Sequence, residues 1–344
     1  MIPKQTVNMT DVARHSGVSI ASVSRALRGE PGVSPTTRDR IMTAARELSY
    51  VVSPEASRLA GGATGRVGVV VPRIDAWFYS TVLAGIADEF DTVGTDLVLC
   101  TLPDSAARHR FFEALPLRRK VDAVVVVSLP LSARERTRID QLGVPSVFVG
   151  GHHPDGNRSW IGIDDELAAR QAVGHLIHIG HRDIAMIQAA DDTDIPWATD
   201  QARISGFHRQ IREAGLGDPT VVTVKWSIEG GSRGMEMLLS GPRLPTAVFC
   251  HSDEIALGAL RTLRRAGVSV PQQISIIGVD DHPSADLNDL TTVAQPVRDQ
   301  GQIAAREVLR HLVGEAAQVT APNTDALTTL PTRLVIRGST ASPH

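Results

Sequence analysis

Cysteine is almost absent: Cys100 and Cys250 are the only two among 344 residues. Each closes an apolar run that reads as a strand, which predicts buried core thiols rather than a disulfide, a metal ligand or a nucleophile. No apolar run approaches the roughly 20 residues needed to cross a bilayer. Met1-Ile2-Pro3-Lys4-Gln5 has none of the apolar character of a secretory signal. Enzyme signatures are missing as well. No Gly-x-Gly-x-x-Gly follows a strand, and there is no metal-ligand set. These absences predict a reducing cytoplasmic location, no membrane partner, no cofactor and no catalytic residues.

What is present is an apolar fraction of 42% and a charged fraction of 21%, the composition of a soluble globular protein too long for one ordinary domain. The net charge of −3 conceals an asymmetry. Residues 1–64 carry eight basic and five acidic side chains, a net +3, so the remainder carries −6. A basic end on an acidic body suits one part that meets phosphate and another that does not.

Start and stop signals divide residues 1–50 into three short helices. Asn8, with Asp11 three positions on, is a capping-box-like start for a helix reaching Arg14-His15, and Gly17 breaks it. Ser19 caps a second helix, Ile20 to Leu27, with Gly29 beyond its end. Ser34-Pro35 opens a third, ending near Ser49. Two short helices around a glycine-containing turn, closed by a third, make a helix-turn-helix. Val12, Ala13, Val18, Val23, Ala26, Leu27, Ile41, Ala44, Ala45 and Leu48 are its expected core.

The runs Thr10-Asp11-Val12-Ala13-Arg14-His15-Ser16-Gly17-Val18-Ser19 and Val23-Ser24-Arg25-Ala26-Leu27 resemble the headpiece of the lac repressor/gal repressor family. The resemblance is close over about residues 8–64 and patchy to Thr340. It implies a sequence-specific DNA-binding transcriptional regulator whose second helix enters the major groove. Ile20 and Ala21 fall at the positions that set base preference in the family; both are apolar, favouring thymine methyls over hydrogen-bonded readout. Thr10, Ser19, Ser22 and Arg25 join them as candidate DNA contacts, with Ser24, Ser34 and Thr36 as phosphate partners; Ser34 reads equally well as a cap alone.

Residues 51–65 read as a hinge. Ser53-Pro54 starts a helix that Gly61-Gly62 stops after about two turns, too short to be stable alone. The resemblance puts Leu59 where a leucine of each subunit wedges into the central minor-groove step of the operator. Gly61-Gly62-Ala63-Thr64-Gly65 is no phosphate loop: it lacks the Gly-Lys-Ser/Thr ending and precedes a strand rather than following one.

Residues 66–340 form the expected core. Strand-like runs at 67–71, 97–100, 123–127, 146–149, 184–187, 221–224, 247–250 and 274–279 alternate with helix-period segments. That pattern means parallel sheets buried on both faces. The length suggests two doubly wound lobes, and the resemblance implies a periplasmic-binding-protein-like pair crossed near Asp164, Gln295 and Leu327. Lobe 1 would comprise about 66–164 and 296–326, lobe 2 about 165–295 and 327–340.

Ligands in such folds bind outside the carboxyl ends of strands. Trp77, Phe78 and Tyr79 follow the first core strand and can stack on a sugar face. The resemblance adds Arg203, in Ala202-Arg203-Ile204-Ser205-Gly206-Phe207, as the grip on effector hydroxyls, although a structural ion pair is its alternative role. It adds Trp226 as an aromatic lid, Ser252 where relatives carry asparagine, and Asp280 of Gly278-Val279-Asp280-Asp281 as a hydroxyl acceptor. Asp281 reads as structural. His175, His178 and His181 are not read as a metal site, nor are His152-His153, because no carboxylate or cysteine completes a set.

The short polar tail after Arg337 has no leucine heptad, which predicts a homodimer on a pseudo-palindromic operator. A carbohydrate-like effector and a repressor role complete what the resemblance implies. Two other classes are weighed. A transport-associated binding protein fits the core but not the headpiece, and an enzyme lacks a dinucleotide-binding turn and a metal-ligand set.

Overall fold

The computed structural model describes residues 7–27, 31–50, 63–151, 158–190, 198–317 and 327–343. The chain divides into two compact units, Met1–Gly65 and Arg66–His344. Leu59 and the rest of the expected hinge helix lie outside the described residues, as do Gly29 and His152-His153.

In the first unit, α1 (Met9–Ser16), α2 (Ile20–Leu27) and α3 (Pro35–Glu47) pack around Val12, Ala13, Val23, Ala26, Ile41, Ala44 and Ala45. Their ends are fixed by local chemistry. Asn8 Oδ1 accepts from the Thr10 and Asp11 amides, while the Asp11 carboxylate accepts from the Asn8 amide. Gly17 closes α1 at φ 65°, a left-handed value that glycine adopts without strain.

The second unit holds two six-stranded sheets. Lobe 1 is built from β1 (Arg66–Val71), β2 (Asp96–Thr101), β3 (Ala123–Val127), β4 (Ser146–Val149), β5 (Ser159–Ile163) and β11 (Leu327–Leu330), in the order β11-β5-β4-β3-β1-β2, all parallel. Lobe 2 uses β6 (Ile184–Ala189), β7 (Val221–Val224), β8 (Ala247–Cys250), β9 (Ser275–Asp280), β10 (Thr291–Ala294) and β12 (Arg333–Val335), in the order β12-β10-β9-β8-β6-β7. Only β12 runs antiparallel to its neighbour.

Alternate residues of each strand feed opposite faces, so each sheet is buried twice. In lobe 1, Val67, Val69, Val125 and Val147 pack against α4 (Trp77–Asp91) and α12 (Val297–Ala317). Val70, Val124 and Val126 pack against α5 (Ser105–Ala114) and α6 (Ala133–Asp140). In lobe 2 one face carries α7 (Asp165–His178) and α8 (Ala198–Glu213). The other carries α9 (Ile228–Leu239), α10 (Asp253–Ala266) and the short α11 (Pro283–Leu287).

The chain passes from lobe 1 to lobe 2 at Asp164, between β5 and α7, and returns at Gln295-Pro296, between β10 and α12. The third passage falls at Pro331-Thr332, later than the expected Leu327, because Leu327–Leu330 adds to β5 as a parallel strand of lobe 1. Cys250 is fully buried in the lobe 2 core, but Cys100 is only partly buried, because β2 is the edge strand of its sheet.

Helices α9 and α10 meet backbone to backbone. A Cβ on Gly258 would strike the Ile228 carbonyl, and one on Gly231 the Ile255 carbonyl. Gly258→Ala is therefore expected to destabilise the core. Overpacking costs about 1–3 kcal/mol, more than the roughly 1 kcal/mol of helix propensity that alanine gains. A lower urea midpoint with an unchanged slope is the expected observation; an equal or higher midpoint would mean the helices separate freely.

Candidate functional site

The loops after β1, β3, β4, β7 and β9 converge between the lobes, at the carboxyl ends of both sheets. They enclose a cleft of about 720 Å³, including the space open to solvent at its mouth. Lobe 1 contributes Trp77, Phe78 and Tyr79 at the start of α4, together with Arg73, Ser128 and the Gly150-Gly151 turn. Lobe 2 supplies Asp165, Arg203, Trp226, Glu254 and Asp280; Gln295 stands at the second crossing and Gln300 beyond it, on α12.

Arg203, on α8, is 2% exposed and forms the hub of the polar floor. Its Nε donates to Asp165 Oδ1 (2.8 Å), and its two terminal nitrogens donate to the His251 carbonyl (2.6 Å) and to Asp280 Oδ1 (3.5 Å). Gln295 Nε2 also donates to Asp280 Oδ1 (2.6 Å), and Gln300 Nε2 to Gln295 Oε1 (2.9 Å). Burial pushes both carboxyls up against the opposing pull of Arg203: Asp165 rises above its ordinary 3.8, and Asp280 to about 6. The backbone at Asp280 is left-handed, φ 127°, and Asp281 follows at φ 58°. Non-glycine residues hold such angles only when their surroundings fix them. Here the fixing is visible: Asp281 Oδ1 accepts from Arg337 (2.7 Å) while Gln295 holds Asp280.

The aromatic side chains are anchored but not sealed. Trp77 of lobe 1 meets the His282 ring of lobe 2 at 5.2 Å between centroids, so this contact spans the lobes. Trp226 lies edge-on to His251, and its Nε1 donates to Glu254 Oε2 (3.1 Å). Trp77, Phe78, Tyr79 and Trp226 are all half-buried.

Six of the seven side chains predicted from sequence thus line one cleft. Ser252 does not. It is fully buried, and its Oγ accepts from the Ile255 amide (3.4 Å) as the N-cap of α10. The sequence Ser252-Asp253-Glu254 is itself a cap signal, and that role overrides the family position. Ser252→Ala is expected to cost about 1 kcal/mol of core stability through the lost cap while leaving ligand affinity alone. A calorimetric titration showing a large affinity loss would return Ser252 to the site. Asp165, Glu254, Gln295 and Gln300 were not read as site residues. Asp165 lies 38 positions from Arg203, and nothing local in sequence announces that pairing.

Two histidines of the trio have protein partners. His181 is buried between Thr246 Oγ1, Ser275 Oγ and the Ala341 carbonyl, and His175 Nε2 lies 3.0 Å from Thr340 Oγ1.

In the first unit, α2 exposes Ile20 (49%), Ala21 and Arg25, with Ser22 and Ser24 half-buried. Ser19 Oγ accepts from the Ser22 amide (3.2 Å), and Ser34 Oγ from the Thr37 amide (3.3 Å). Ser34 is a cap, and both hydroxyls are exposed, as is Thr10. An amphipathic helix buries Val23 and Ala26 and presents its opposite face to solvent.

A helix-turn-helix unit followed by a two-lobed core with a cleft between its lobes defines a class of DNA-binding proteins. Residues 8–53 match the family of bacterial regulatory proteins of the lacI type, and residues 173–340 match a periplasmic binding protein-like domain. The HTH-type transcriptional regulator MalR of Streptomyces coelicolor is 32% identical over 350 residues, covering 98% of this chain and 97% of its own. Among solved structures, the lac repressor dimer bound to operator and the anti-inducer ONPF gives a TM-score of 0.85 at 26% identity, covering 98% of this chain and all of the other. The transcriptional regulator CelR in complex with cellobiose gives 0.70 at 29% identity, covering 97% and 99%. The chain belongs to the lacI family and is a DNA-binding transcriptional regulator, not an enzyme. Among the described residues, no helix is long and apolar enough to cross a membrane.

Proposed function

We propose that this regulator is a cytoplasmic homodimeric repressor whose affinity for a pseudo-palindromic operator is set by a small carbohydrate-like effector in the interlobe cleft. The observation that carries this reading is the cleft itself. Aromatic side chains (Trp77, Phe78, Trp226) line it together with Arg203, Asp280 and Gln295, the pairing of apolar rings with fixed hydrogen-bonding groups that sugars require. The cellobiose complex of a structural relative supports the effector class, and the operator-bound dimer of another supports the partner.

In this reading Ile20 and Ala21 meet thymine methyls in the major groove, where their apolar side chains make no hydrogen bond. Thr10, Ser19, Ser22, Ser24, Arg25 and Ser34 serve base edges and phosphates, and Leu59 wedges the central step. Because both lobes line the cleft, a ligand that prefers one lobe arrangement shifts operator affinity, and operator shifts ligand affinity by the same factor.

The test is selection of bound duplexes from a random DNA pool, with and without a panel of mono- and oligosaccharides. A palindromic consensus, lost when one sugar is added, is the expected result. A consensus that no sugar alters would remove the carbohydrate effector, and a consensus strengthened by sugar would reverse the logic to corepression. No enrichment at all would remove the operator reading.

A further inference from the structure

Among the described residues, the cleft holds more negative than positive charge. Among the described residues, its carboxylates are Asp165, Glu254 and Asp280, its cations are Arg203 and Arg73, and no lysine lines it. Arg203 is shared between Asp165 and Asp280, so that buried cluster keeps one negative charge. Arg73 is engaged through Nε and a terminal nitrogen by Asp75, 2.6 and 3.0 Å away. Glu254 adds a second negative charge. One of its oxygens accepts from Trp226 Nε1, and the other makes no hydrogen bond among the described residues. The nearby His282 does not compensate, because burial holds it below its ordinary range.

A neutral ligand drawn between the lobes would leave both charges desolvated without a counter-charge, which is costly; a cation offsets them. The indoles add to this. Trp77 and Trp226 offer ring faces that attract a cation, and Trp226 sits hydrogen-bonded to Glu254, so ring and carboxylate stand side by side.

We infer that the effector carries a positive charge, as a sugar with a protonated free amine does, and that Glu254 beside Trp226 selects it. This rests on the reading of the cleft as a carbohydrate site and narrows it. The raised carboxyl of Asp280 agrees: after burial, the charges of Glu254 and Asp165 add to the push upward, and a bound cation would relieve it.

The test is calorimetric binding to the full-length protein at about pH 7, where Asp280 is mostly ionised. Glucosamine, galactosamine, mannosamine and the glucosamine disaccharide are each compared with the neutral parent sugar and the N-acetyl derivative. At least one free amine is expected to bind about tenfold or more tightly than both counterparts, a difference above ordinary scatter in affinity. Glu254→Gln is expected to bring that ratio within about threefold, and Glu254→Asp to preserve most of it. Neutral or acetylated sugars that bind as tightly as the amines would overturn the inference and leave the carbohydrate reading standing. A preference that survives in Glu254→Gln would overturn the role of Glu254. A protein that binds its operator but none of these sugars would overturn both. The wild-type comparison decides the charge question even if a variant fails to fold.

Discussion

Arg203→Ala is expected to lose about 3–5 kcal/mol of core stability, the usual cost of removing one partner from a buried ion pair. The loss is large because the guanidinium is the counter-charge for two buried carboxylates, Asp165 and Asp280, and also donates to the His251 carbonyl. The pH dependence distinguishes this from simple loss of packing. Both carboxyls already sit above their ordinary value, so between about pH 4 and 6 the folded state binds more protons than the unfolded chain. Their contribution to stability therefore falls as pH rises through that window and is regained as pH falls. Without Arg203 both groups move further up, so the variant should recover stability on acidification over a wider range than the wild type. Urea melts across about pH 5 to 8 measure this. A deficit that does not change with pH would mean Arg203 acts by filling space. Neutralising the stranded charge, with Asp165→Asn in the same chain, should restore part of the loss.

Ile41→Ala is the second large effect. Ile41 is fully buried at the centre of a seven-residue cluster that contains only two other residues larger than alanine, Val12 and Val23. An Ile→Ala change in a core costs about 2–5 kcal/mol. A unit of this size has little stability to spare, since small domains bury a smaller fraction of their surface. The expected outcome is loss of operator binding by more than about a hundredfold, with cleft occupancy by ligand unchanged. Gel shifts read the first and calorimetry the second. Retained operator affinity would mean the unit is held together by something besides its own core, and bound DNA is the obvious candidate.

The legible parts of this chain were those where chemistry is local. Asn8, Ser19 and Ser34 cap helices within three residues of themselves, so their roles can be read from spacing alone. Strands such as Ala-Val-Val-Val-Val at 123–127 announce a sheet buried on both faces. Four strands are missing from the sequence-based runs, β5, β10, β11 and β12, and of these β10 and β11 are threonine-rich. In β10, Thr291 and Thr292 are fully buried, and Thr292 Oγ1 donates to Asp253 Oδ1 39 positions away (2.7 Å). A buried hydroxyl is acceptable only once its distant partner is known. The same distance problem hid Asp165 and Glu254 from the cleft, whereas Arg203 and Asp280 were reached through family resemblance. Ser252 is the opposite case: its position in the family suggests a ligand contact, whereas its local sequence makes it the cap of α10.

The threefold passage of the chain between lobes also sets the order in which the protein can be made. The first unit precedes everything and can form early. Lobe 1 cannot. Its sheet begins with β1 to β5, but α12, which covers one face, and β11, which completes its edge, are the last large pieces synthesised. Nearly all of lobe 2 emerges in between. Until residues 297–317 are available, Val125, Val147 and Ile161 have no α12 over them, and until Leu330 is available β5 has an open edge. An open edge beside an uncovered apolar face is the surface on which nascent chains aggregate. The hazard in producing this regulator is thus an unfinished lobe 1 awaiting residues 297–330, and a chain truncated before Val297 should be insoluble even though most of its residues are present.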